Sequence, residues 1–468
     1  MALDQLRARA QSMLQSKQLR SISLYVIAIG LASGSNFASA PIVLALLGNE
    51  GFASWALIEP LLLIFIPVAG LGANVGILHL IAREGQDVRA LGQILVPYLL
   101  SAALISSICG VLSFLQWGPS VSGLAALVVF VEGVVLLFGS FWRATDEPLK
   151  FALVEGGRAF AVVLTLIGFL VFSPTVIQTV GDYFVVRVCV GFVALALAIT
   201  VTRPALNFSG ALTRSAVAFG LPIVTASMII AVLSTVDRYV LALSGNGDKV
   251  TEYVAHVKLV QILGTAVTPF FAWFAPIAIR RIPEGETAHG FFAMTFYGFI
   301  CVSMSLAAIM LSFTPLIWPL LFPSVAFDNT LFLILVLGMV LFSAGNPISL
   351  ATLRPGKTWL APVTTLINLA VCAAACFGLA QLDALLGVAM GRLLAYLSYT
   401  AALGWLTVRA LNIRYAWAQI LTVFAAFVAS SSILTTAFDL TTVLGALVAS
   451  IGILSVTLGC AWLLRPGK

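Results

Sequence analysis

The sequence predicts an all-α polytopic membrane bundle of about fourteen transmembrane helices. Two pseudo-symmetric six-helix lobes are followed by an extra C-terminal helix pair, with both termini in the cytoplasm (N-in, C-in). Three observations predict it. Of 468 residues, 61% are hydrophobic and 9% charged, whereas soluble domains carry roughly 25% charged residues. Apolar runs of at least ~18 residues, long enough to cross a bilayer as helices, recur along the whole chain. Basic residues collect in every second connection.

Residues 1–21 carry Arg7, Arg9, Lys17 and Arg20, with Leu3, Leu6, Ala10 and Leu14 at helical spacing. This reads as a basic amphipathic helix lying on anionic lipid. Ala38-Ser39-Ala40 imitates a signal-peptide cleavage site, but Pro41 follows and many spans come after, so the first span reads as uncleaved. The spans run roughly 22–47, 52–79, 91–115, 121–142, 151–172, 179–201, 213–244, 251–279, 289–314, 328–351, 358–379, 384–408, 414–437 and 440–464. Connections are short. The expected N-lobe is 22–202, the C-lobe 203–410 and the appended pair 411–468.

Charge supports the count. With the N-terminus inside, 19 of 24 basic residues, Arg158 and Arg214 among them, fall in inner segments; Lys249 is outside and four lie within spans. The formal charge of +6 is explained by inner loops beside anionic lipid and calls for no nucleic-acid partner.

An internal repeat supports the two lobes. LALLGN (44–49) ends the first span and LALSGN (241–246) ends the seventh. Each is followed by a span with two prolines seven apart, Pro60 and Pro67, then Pro269 and Pro276. Duplicated lobes of this kind place a transported substrate at their junction.

The spans hold Glu59, Glu132, Arg187, Asp237, Arg238, Lys258 and Arg392. A charge in hydrocarbon costs about 2.5–3.5 kcal/mol on insertion scales, so each is a candidate functional group. At ~1.5 Å per residue, the basic residues and Glu59 lie about 9–12 Å below the outer span ends, in one layer, with Glu132 deeper. Lys258, Gln261, Thr265 and Thr268 share one helix face, which should meet a water-filled cavity. Arg392, Tyr396 and Tyr399 share another, suited to a phosphate or a sugar ring. The competing reading for each charge is a structural ion pair or a snorkelling cation. Pro41, Pro60, Pro67, Pro222, Pro269 and Pro276 lie in spans 1, 2, 7 and 8. They read either as static bends or as the gates of alternating access.

Other motifs carry little. Gly356-Lys357-Thr358 ends a phosphate-loop-like stretch without its first glycine or a preceding strand. His79, His256 and His289 have no metal spacing, and no metal or cofactor is expected. His256 lies four after Glu252, a proton-sensitive pair or a rim hydrogen bond. Six cysteines, Cys372 and Cys376 among them, fall in apolar runs and read as buried thiols.

Phe219-Gly220-Leu221-Pro222 opening span 7, then Ser234-Thr235-Val236-Asp237-Arg238-Tyr239-Val240-Leu241 and a Gly-rich turn, resembles the polysaccharide-transporter branch of the multidrug/oligosaccharidyl-lipid/polysaccharide exporter superfamily. Gly48-Asn49-Glu50-Gly51-Phe52-Ala53-Ser54-Trp55 and Gly70-Leu71-Gly72 resemble its N-lobe. The resemblance implies a flippase for undecaprenyl-pyrophosphate-linked oligosaccharide in the bacterial cytoplasmic (inner) membrane, not an enzyme. It implies two lobes forming a V around a cavity, and gives Arg238 and Lys258 the best claim to substrate contact; the charge layer and shared helix faces add Arg187, Gln261, Arg392 and Tyr396 as substrate-binding candidates. Glu59, Glu132 or Asp237 would couple to H+ or Na+, and other glycan assembly proteins would be partners beside the membrane lipids. Asp237 is expected to neutralise Arg238 at rest and to yield it to pyrophosphate. The alternatives are a lipid II flippase, whose span 1 carries basic residues that this one lacks, a multidrug or cation antiporter, and a membrane glycan polymerase or ligase.

Overall fold

A computed structural model describes residues 17–82, 89–281, 289–349, 360–413 and 415–464. The amphipathic N-terminal segment, the Arg83 and Arg281–Gly285 loops, most of the Gly356-Lys357 stretch's surroundings and the final basic residues therefore fall wholly or largely outside them. Among the described residues the fold is helical throughout, and eleven stretches are long and apolar enough to cross a membrane.

The helices are α1 (Lys17–Val68), α2 (Ala73–Ala82), α3 (Ala90–Ala144), α4 (Pro148–Phe172), α5 (Val180–Thr202) and α6 (Gly210–Leu233), then α7 (Val236–Leu243), α8 (Val250–Arg281) and α9 (His289–Leu321). They continue as α10 (Asn329–Ile348), α11 (Leu360–Ala380), α12 (Ala384–Leu411), α13 (Trp417–Ala437) and α14 (Val443–Leu463). The 55-residue α3 would be roughly 80 Å long if straight, far more than the ~30 Å hydrocarbon core. It is broken at Gly118 (φ 77°), as α1 is broken at Gly48 (φ 67°). Both breaks fall between expected spans. The first half of α3 turns Leu100, Leu104, Val111 and Leu115 outward, the apolar face that lipid accepts.

Two expected spans are interrupted. Span 2 bends at Ala69–Gly72, where Leu71 and Gly72 have φ of 49° and 86°. Span 7 breaks at Ser234–Thr235, between α6 and α7. Ser and Thr hydroxyls compete for backbone partners and weaken a helix at that point.

The chain divides into two compact units, Met1–Val232 and Leu233–Lys468. The repeat groups α6 with the second lobe, whereas packing groups it with the first unit; repeat and compactness are different criteria. In the first unit the core gathers Ile77, Leu80, Ile94, Tyr98, Phe138, Trp142 and Ala216. Here two of the family-like motifs meet. A Cβ added at Gly220 would lie 1.8 Å from the Gly72 carbonyl oxygen, and His79 stacks on Phe219 at 3.8 Å. Backbone touches backbone, so α6 crosses the Gly72 bend at the closest range a helix allows.

In the second unit α11 and α12 form a tight hairpin. A Cβ on Gly391 would lie 2.5 Å from the Cys376 backbone nitrogen. Thr400 and Thr407 donate to the carbonyls of Leu341 and Ile348. Both pairs are seven residues apart, so α10 and α12 run parallel, as two spans separated by a third should.

Candidate functional site

The in-span charges form two clusters, one inside each unit. In the first, α5 presents Arg187, α3 presents Glu132 and the second half of α1 presents Glu59. Arg187 makes a forked pair with Glu132, Nε to Oε1 at 3.0 Å and Nη2 to Oε2 at 2.9 Å. Its Nη1 donates to Glu59 Oε2 at 2.6 Å. All three residues are at most 8% exposed. Planar fork matching is the geometry that compensates a buried guanidinium. The Tyr183 ring lies 5.9 Å from the Arg187 guanidinium, and Trp55 packs edge-on against that ring at 6.1 Å.

Two members were not singled out from the sequence. Arg158, grouped there with the inner segments, donates Nη1 to Glu132 Oε1 at 2.8 Å. Glu155 lies 3.6 Å from Arg158 Nη2. A π-turn at Ala152–Gly156 precedes Arg158 in α4, and such turns are frequent at functional sites. The available signal was an acid and a base three apart, facing one way, inside the predicted span 151–172. Three carboxylates against two guanidiniums leave one net negative charge. A cavity of about 260 Å³ adjoins them, lined in part by Ser35, Asn36, Ser39, Glu59, Tyr183 and Arg187.

The second cluster has the opposite balance. Asp237, fully buried on α7, accepts from Arg392 Nη1 and, at 2.8 Å, from the Tyr253 hydroxyl. Arg392 Nε donates to the Tyr396 hydroxyl at 3.0 Å, with its guanidinium 5.3 Å from that ring. Gly391 brings α12 close enough to α11 for its neighbour Arg392 to reach this layer. The expected side-chain ion pair of Asp237 with Arg238 is not formed among the described residues: Asp237 Oδ1 accepts the Arg238 backbone N–H at 2.9 Å. Adjacent residues on a helix point about 100° apart and do not face each other, so the carboxylate serves α12 instead. Arg238 is 2% exposed, and among the described residues its Nε has no hydrogen-bond partner. Two guanidiniums against one carboxylate leave a positive balance.

Other expected residues lie apart from these clusters or at their edge. Lys258 is buried, Gln261 half-buried and Thr265 exposed, so the stripe on α8 runs from interior to surface. Asp237 is held by Arg392 and Tyr253. Pro41, Pro60 and Pro67 lie inside α1 and Pro222 inside α6. The side chains of Thr268, Pro269 and Pro276 fall outside the described residues. The His256 ring makes the rim hydrogen bond. Its Nδ1 lies 2.8 Å from the Glu252 carbonyl, and its Nε2 accepts the Asp328 backbone N–H at 3.0 Å. That acceptor role fixes the neutral tautomer. Cys372 and Cys376 lie 3.8 Å apart as thiols.

A solved multidrug resistance MATE family transporter of the MOP superfamily, inward-facing, superposes with a TM-score of 0.67 at 14% identity, over 83% of this chain and 98% of the other. Lipid II flippase MurJ, in an inward closed conformation, gives 0.57 at 12% identity over 94% and 100%. A MOP superfamily transporter from Pyrococcus furiosus gives 0.53 at 12% over 84% and 94%. At these identities the likeness establishes the fold. No curated protein sequence matches the chain. The model of one sequence family, polysaccharide biosynthesis protein, matches residues 18–278. More than half the chain is thereby covered, and the protein is a multi-pass membrane protein that belongs to the polysaccharide biosynthesis protein family.

Proposed function

We propose that the protein flips an undecaprenyl-pyrophosphate-linked oligosaccharide from the inner to the outer leaflet of a bacterial inner membrane, for assembly of a cell-surface polysaccharide. Arg238 carries this reading. It is a buried guanidinium whose Nε lacks an acceptor among the described residues, beside a carboxylate already committed to Arg392, in a chain of a polysaccharide biosynthesis family. A pyrophosphate offers the fork of anionic oxygens that a guanidinium matches. Arg392, Lys258, Gln261 and Tyr396 complete the proposed contact set, and Arg187 joins it when freed from its two glutamates. The lipid tail stays in the bilayer, no covalent bond is made or broken, and the proline-bent helices move as gates with both chain termini inside.

Ion coupling belongs to the same proposal. Glu132 is engaged by two arginines and Asp237 by Arg392 and Tyr253. Glu59 has one oxygen bonded to Arg187 and the other without a partner among the described residues, so it is the carboxylate best placed to take a proton or Na+. The acid excess around it also favours drug–cation antiport as the second reading.

Proteoliposomes loaded with a lipid-pyrophosphate oligosaccharide test the assignment. Wild type should move the glycan between leaflets, and Arg238→Gln, inserted at equal density, should slow it at least ~10-fold. Unchanged rates in Arg238→Gln and Arg392→Gln would sink the site. New glycosidic products would mean an enzyme, and dye efflux without glycan movement would mean an antiporter.

A further inference from the structure

We infer that the first-unit cavity is a sugar-binding subsite that accepts a neutral or amino sugar of the headgroup and rejects an acidic one. The inference rests on the flippase reading and specifies which part of the substrate this unit holds. Size comes first. About 260 Å³ greatly exceeds what one dehydrated cation or one water fills, and it has room for a sugar ring.

Lining chemistry comes second. Ser35 and Ser39, one helical turn apart on α1, give the wall hydroxyls, and both are buried. Ser39 spends its proton on the Asn36 carbonyl at 2.8 Å, leaving its oxygen as an acceptor. Glu59, which lines the cavity, keeps Oε1 without a partner among the described residues. Arg158 Nε is buried without an acceptor among them. Acceptors and a donor are thus available, as a ring with several hydroxyls requires. Leu63, Ile66 and Val162 supply an apolar wall for the C–H face of such a ring. Such a mixture of apolar wall and few convergent polar groups is the usual make-up of a small-molecule site.

Charge comes third. The lining sets the carboxylates of Glu59 and Glu132 against Arg158 and Arg187, which are already paired to glutamates, and Glu155 behind Arg158 brings the whole cluster to one net negative charge; a uronate carboxylate or a phosphate would therefore meet repulsion while a hydroxyl or an ammonium group would not.

The test uses purified full-length protein in lipid nanodiscs and saturation-transfer NMR with methyl β-glucopyranoside, glucosamine and glucuronate as probes. The first two should bind, and glucuronate at least ~10-fold more weakly, the factor that 1.4 kcal/mol of repulsion gives. Ser35→Leu should abolish binding by filling the cavity without touching the ion cluster. Val162→Trp fills it from another wall and should do the same, with thermal unfolding confirming that each variant is folded. Equal or better binding of glucuronate overturns the inference. So does sugar binding indifferent to both fillings, or Na+ saturating the site while no sugar binds. Glycan flipping in wild type without binding of any sugar probe defeats this inference and leaves the flippase reading intact. Ser35-dependent sugar binding without movement of lipid-linked glycan defeats the flippase reading and leaves the subsite.

Discussion

The two buried ion clusters solve the same problem in opposite ways. Around Arg187 the acids exceed the bases, both Glu132 oxygens are engaged, and an open cavity adjoins. Around Arg392 the bases exceed the acids; each cluster keeps one guanidinium Nε without an acceptor among the described residues, Arg158 in the first and Arg238 in the second. The difference teaches that in-span charges cannot be read by their sum. Four basic and three acidic residues look nearly neutral along the sequence; among the described residues one cluster has an excess of acids and the other an excess of bases.

The largest effect that would test this contrast comes from Arg187. Arg187→Met strips the forked partner from buried Glu132, which keeps Arg158, and leaves buried Glu59 with no side-chain partner among the described residues. Uncompensated buried charge costs about 3–5 kcal/mol, so purified protein should lose that much unfolding free energy, and thermal unfolding would register it. Next is Gly391→Val. Its branched side chain would collide with the Cys376 backbone, should cost on the order of 3 kcal/mol, and should dislodge Arg392.

The sharpest comparison sets Asp237→Asn against Arg238→Gln. The first leaves Arg392 without its counter-charge and should destabilise by about 3 kcal/mol. The second removes a guanidinium whose Nε has no acceptor among the described residues, and should leave stability within about 0.5 kcal/mol while slowing glycan movement. Equal destabilisation by the two would show that Arg238 is structural. Tyr253→Phe removes one hydrogen bond to a charged acceptor and should cost about 1.5–3 kcal/mol. Smallest is Glu155→Gln, which loses a 3.6 Å contact and should shift stability by no more than about 1 kcal/mol. It should still make the first cavity more tolerant of glucuronate.

Much of this was legible in the sequence because lipid imposes simple rules. Apolar run length sets the helices, and the breaks at Gly48 and Gly118 fall where span lengths demanded them. Glu59, Glu132, Arg187, Asp237 and Arg392 were visible as charges in the wrong solvent. Their partners were not, because pairing depends on helix azimuth and on contacts across 55 to 155 positions of chain. Asp237 and Arg238 look paired in one dimension and are turned apart in three. Arg158 and Glu155 sit near a span end, where the topology rule absorbs them as loop charges; the π-turn before Arg158 leaves no mark in composition.

The Gly72–Gly220 crossing bears on how the chain is made. A ribosome completes α1 to α5 by Thr202, yet the surface that covers the Gly72 bend lies on α6 and has not been synthesised. The first unit stays unfinished until Leu233 emerges. Severing the chain between residues 203 and 209, at the boundary the repeat suggests, would strip that cover from its owner. Severing it at Ser234–Thr235 would let each half carry its complete interior, and co-expressed halves cut there should reassemble where the others fail.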